Sequence, residues 1–147
     1  MSIKGKVIQG HGVASGKVGD PRYPEGTLIK QLPFFKALGL DLGEYHLGTI
    51  NLDIHPYRYG IIEAFMFFSQ VRWSEHIPAE NFYFFTLTAH YKSHTYNGLI
   101  YMPDPETKVE HEQSSSTLEL ILPKIKHLDY GDILKIEVPD TQLRFLQ

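Results

Sequence analysis

Many short alternating segments with turn signals between them, and one convincing helix, predict a mainly β protein closed into a barrel. Three observations carry this. Residues 82–91 form the strongest strand, with Tyr83, Phe85, Leu87, Ala89 and Tyr91 on one apolar face and Thr86, Thr88 and His90 on the other. Residues 99–102, 117–122 and 133–138 repeat the β-type pattern further along the chain. Nine Phe, nine Tyr and one Trp favour strands with ring-lined interiors.

Composition narrows the class. A chain of 147 residues is expected to form a single domain, 1–147, with room for a respectable core. A formal charge of -3 lacks the basic footprint of a nucleic-acid binder, so no nucleic-acid partner is expected. Zero cysteines exclude disulfides and cysteine-based zinc sites and fit a reducing compartment. With no apolar signal core and no membrane-spanning run, the expectation is a cytoplasmic protein without a membrane partner.

In chain order, residues 3–8 form a short β segment leading into Gly10-His11-Gly12-Val13-Ala14-Ser15-Gly16-Lys17-Val18-Gly19. Such a loop can cup a phosphate with successive backbone N–H groups. A flexible hairpin or bulge connection is the simpler explanation of such a loop. No Gly-Lys-Ser/Thr triplet makes it a Walker loop, and Asp20-Pro21 stands where a Rossmann helix would open. Residues 32–38 fit a short helix, with Pro33 near its start and Gly39 past its end, and Phe34, Phe35 and Leu38 packing inward.

Residues 45–54 read as a strand whose Ile50, Leu52 and Ile54 enter the core. Thr49, Asn51, Asp53 and His55 face the other way. Residues 59–68 are apolar and read as a buried strand, with a helix as the alternative, and 71–78 as a connection. Asn97-Gly98 signals a hairpin, 103–116 a polar surface loop, and 129–132 a turn before the closing strand.

Eight histidines invite a metal centre, but their positions lack ligand spacing. No elbow motif supports a serine triad. Thr49 and Asn51 differ: neutral hard oxygens side by side on a strand suit Mg²⁺, which takes further ligands from phosphates and water. A plain solvated strand face remains the competing explanation.

Gly48-Thr49-Ile50-Asn51-Leu52 resembles the Gly-Thr-Leu-Asn signature of the CTP-dependent riboflavin kinases, a family of small cradle-loop β-barrels. The resemblance runs nearly the whole chain. Ser15-Gly16 is similar to the family's glycine loop, residues 32–38 to its helix, 97–103 to a strand ending in proline, and 118–123 to its Glu-containing strand. Tyr130-Gly131-Asp132-Ile133-Leu134-Lys135-Ile136 resembles the closing strand. The resemblance implies a closed six-stranded cradle-loop barrel that transfers the γ-phosphoryl group of CTP to the 5′-hydroxyl of riboflavin, giving FMN. It implies Thr49 and Asn51 as Mg²⁺ ligands, and Ser15, Gly16, Lys17 and Gly19 at the nucleotide phosphates. Glu119 is implied, by analogy, as the group that orients or deprotonates the acceptor hydroxyl. Three features depart from the pattern: Lys17-Val18-Gly19 shifts a glycine by one place, the stretch between Pro123 and Gly131 is short where the family carries a basic helical segment, and His111 lies upstream of the family's histidine position before the paired serines. These departures define an alternative, a non-catalytic flavin- or nucleotide-binding barrel acting as sensor or carrier.

Overall fold

The computed structural model describes residues 1–9, 26–46, 48–107 and 115–147. Its elements in chain order are β1 (Ser2–Ile8), α1 (Thr27–Ala37), β2 (Ile50–Asp53), β3 (Arg58–Ile61), β4 (Met66–Val71), β5 (Glu80–Tyr91), β6 (His94–Pro103), β7 (Thr117–Ile121), β8 (Ile133–Glu137) and β9 (Leu143–Leu146). Strands β5-β6-β7-β2-β1-β8 pair antiparallel in that order, and β8 returns to β5 to close a six-stranded barrel. β4 adds to the first half of β5, while β3 and β9 form a separate two-stranded sheet. Among the described residues, the predicted mainly β barrel with one short helix is the architecture found.

The two-residue period sorts side chains into two apolar layers. Phe85, Leu87, Ala89, Ile100, Leu52, Leu118, Leu120, Leu134 and Ile136 fill the barrel interior. Phe82 and Phe84 of the same β5 point outward and pack with Leu99, Tyr101 and Ile121 beneath α1. Phe35 of the helix is fully buried there, its ring centroid 5.0 Å from that of Phe82 and 5.1 Å from that of Phe84, edge-on to both. Such edge-to-face contacts add to the burial of ring area.

β5 changes partners along one edge. Met66 pairs with Phe84 at the β4 end, and the β8 pairing begins at Thr88. Between them the Thr86 N–H donates to Gln142 Oε1 at 2.8 Å, and Gln142 Nε2 donates to Thr86 Oγ1 at 2.9 Å. A side chain from the turn before β9 thus satisfies a ladder position that neither strand reaches.

Several local expectations need correction. α1 begins at Thr27, not near Leu32, and holds Pro33 in its interior. Its inward face is Leu28, Gln31 and Phe35, at helical spacing, whereas Phe34 and Leu38 are 38% and 53% exposed. Residues 59–68 are not one buried strand: they divide between β3 and β4, and Ile61, Ile62, Phe65 and Phe67 stay exposed as the chain leaves β9 for β5. Asn97-Gly98 makes no turn. The β5–β6 hairpin turns at Lys92-Ser93, with Lys92 at φ 55° and Tyr91 paired to His94. Gly98 lies inside β6 where β7 runs close alongside: a Cβ there would collide with the Ile121 carbonyl oxygen. The strand at 133–138 is followed by β9, which the sequence reading omitted.

Candidate functional site

The site is built where β2 lies beside β7. Their register sets Asn51 opposite Glu119 and Leu52 opposite Leu118. Because the leucines point into the barrel, Asn51 and Glu119 are held on the outer face. Thr49, two residues before Asn51, joins them: its Oγ1 donates a hydrogen bond to Glu119 Oε1 at 3.2 Å in a half-buried setting. The approach to Thr49 is tied to the end of β7, since His46 N–H donates to the Leu122 carbonyl at 3.0 Å and Gly48 N–H to the His46 carbonyl at 3.0 Å.

The same register extends the row. Glu119 pairs with Tyr101 on β6, and Tyr101 with Phe84 on β5, so the oxygen cluster borders the apolar layer under α1. Tyr101 is buried, and its hydroxyl donates to Gln31 Oε1 of the helix at 2.6 Å. Burial, reinforced by the Glu119 and Glu80 carboxylates, pushes the Tyr101 phenol well above its ordinary range. It therefore stays neutral and acts as a brace. Helix α1, Tyr101 and Glu119 form one mechanical chain, with the helix fixing the ring that lies beside the carboxylate.

The donor set has a definite chemistry. A threonine hydroxyl has one proton and two lone pairs. With the proton given to Glu119, the lone pairs are the groups it can offer to a cation. An amide oxygen from Asn51 and a carboxylate from Glu119 complete a hard-oxygen set that suits Mg²⁺. Among the described residues no group of three or more His, Cys, Asp or Glu gathers to hold a metal. A cation here would instead be held by the mixed hydroxyl, amide and carboxylate oxygens.

The structure brings Thr49, Asn51 and Glu119 together, three residues that the sequence separates by up to 70 positions. Ser15, Gly16, Lys17 and Gly19 lie outside the described residues. Asp53 faces the same side but turns its Oδ1 to the His55 N–H at 2.9 Å, closing a local turn. His90 and His94 sit on opposite strands of the hairpin, and His90 Nδ1 is 3.2 Å from Thr95 Oγ1. Gln31 and Tyr101 were missed as site supports. Gln31 carried a usable signal, being three residues after Leu28 and four before Phe35 on the face that packs inward. No helix of the described residues is long and apolar enough to cross a membrane. The chain matches no protein-family model and no curated protein sequence.

Proposed function

We propose that this barrel is a Mg²⁺-dependent phosphotransferase acting on riboflavin, with CTP or another nucleoside triphosphate as donor and FMN as product. The observation that carries the reading is the Thr49–Glu119 hydrogen bond with Asn51 alongside, on the strand that resembles the kinase signature. Thr49 and Asn51 offer neutral oxygens to the cation, which when bound would neutralise phosphate charge. Glu119 orients Thr49 by accepting its proton. The resemblance gives Glu119 a second role, accepting the proton of the acceptor hydroxyl. Little else is required of the protein, because phosphoryl transfer depends mainly on positioning and charge neutralisation.

The test is direct. Purified protein with riboflavin, Mg²⁺ and CTP or ATP should form FMN, resolved chromatographically, and Asn51→Ala should abolish turnover while keeping the wild-type circular dichroism spectrum. Absence of FMN with every triphosphate would reject the reading.

A second reading has one observation in its favour. Residues 123–131 form turns with no helix, where the resemblance expects a basic helical segment. A barrel that holds flavin without transferring phosphate accounts for that loss. Saturable riboflavin binding with no FMN under any donor would select it.

A further inference from the structure

A concave feature lies on the outer face, and none of Thr49, Asn51 and Glu119 lines it. It is a groove of about 490 Å³, within the size range of small-molecule sites. Thr88 of β5 and Asn97 of β6 form its floor, and the two are register partners. Glu137 from the end of β8, Asp41 and Tyr45 from the segment after α1, and the exposed Phe65 also line it.

Its chemistry is one-sided. Among the described residues the lining carries two carboxylates and no Lys, Arg or His. Hydroxyl and amide groups cover the floor, and two aromatic rings stand at the border. Neither carboxylate is committed with both oxygens in the contacts described: Asp41 Oδ1 accepts the Gly43 N–H at 2.9 Å, and Glu137 Oε1 lies 3.4 Å from His90 Nε2. The carboxylates disfavour an anionic ligand here and attract a cation, with the aromatic side chains of Tyr45 and Phe65 in the same lining.

The geometry points to this groove as a binding site for a small organic cation with a planar body, of the arylalkylamine class. The ammonium sits between Asp41 and Glu137, and the ring lies against Tyr45 and Phe65. The site does not rest on the phosphoryl-transfer reading, and either can fail alone.

Three probes of one shape separate charge from shape: tyramine, its neutral alcohol tyrosol, and the acid 4-hydroxyphenylpropionate. Binding is followed by amide chemical shifts of Thr88 and Asn97 in the full chain. Tyramine should give saturable shifts with an affinity at least about tenfold above that of tyrosol, which is about 1.4 kcal/mol, and the acid should give none. The double variant Asp41→Asn, Glu137→Gln retains acceptor atoms for Gly43 and His90, and should bring tyramine down to the tyrosol affinity. No shift with tyramine up to about 10 mM, equal binding of the acid, or an unchanged affinity in the double variant would overturn the assignment.

Discussion

Thr49 gives its single proton to Glu119, so substitutions at these two positions separate the hydroxyl's two jobs. Thr49→Val removes both the donor and the lone pairs and should eliminate Mg²⁺-dependent FMN formation, while Thr49→Ser, which keeps the hydroxyl, should retain much of it. Glu119→Gln keeps an acceptor of the right shape without the charge. A clear loss of Mg²⁺-dependent activity is expected, because the charge that joins the oxygen set and accepts the Thr49 proton is gone. Full activity in Glu119→Gln would remove the carboxylate from the chemistry. Away from the site, Tyr101→Phe leaves the buried Gln31 Oε1 without its donor, and should lower stability by about 1–3 kcal/mol in urea unfolding. A pH signature belongs to Asp132. The Asp129 N–H, and then the Tyr91 hydroxyl, hold its carboxyl below the usual range, and the same bond holds the Tyr91 phenol above its own. A depressed carboxyl stabilises the fold above its unfolded value, and that contribution is lost as pH falls through the folded one. A raised phenol stabilises below its unfolded value and loses its share as pH rises through the folded one. Tyr91→Phe should therefore remove this contribution from the alkaline side of a Tm–pH profile. Much of the acid side should remain, sustained by the Asp129 amide.

At the level of elements, what could be read from the sequence was whatever depended on side-chain period. The alternation at 82–91 placed Phe85, Leu87 and Ala89 inside, and that expected over 45–54 put Asn51 opposite the core, although β2 spans only Ile50–Asp53 and Thr49 reaches the site from just before it. Turn chemistry was less reliable. Asn97-Gly98 has the composition of a hairpin, yet its glycine answers to a neighbouring strand and not to a bend, and no local pattern reveals that. Gly98→Ala should consequently destabilise by about 1–3 kcal/mol or more through overpacking against the Ile121 carbonyl and Leu122, read as a lower urea midpoint. The helix start was misread for a related reason. Pro33 suggested a first turn, but burial of Leu28 and Gln31 carries the helix one and a half turns further back.

For the whole molecule, closure of the sheet could be anticipated from the number of strands, while the pairing order could not. β1 reaches β8 across nearly the full chain, and Glu119 meets Thr49 only because β7 and β2 become neighbours. These are non-local consequences that no window of sequence contains. The partner change along β5 has a dynamic consequence. Its Thr86 amide is the one position between the β4 and β8 pairings that is held by a rotatable side chain instead of a strand. Release of that amide requires only a rotamer change of Gln142, whereas release of its inward neighbours requires strands to part. Hydrogen–deuterium exchange at Thr86 should therefore proceed orders of magnitude faster than at Phe85 or Leu87 and respond little to denaturant. That amide would act as a clock for side-chain motion set inside a ladder that otherwise opens only when the protein unfolds.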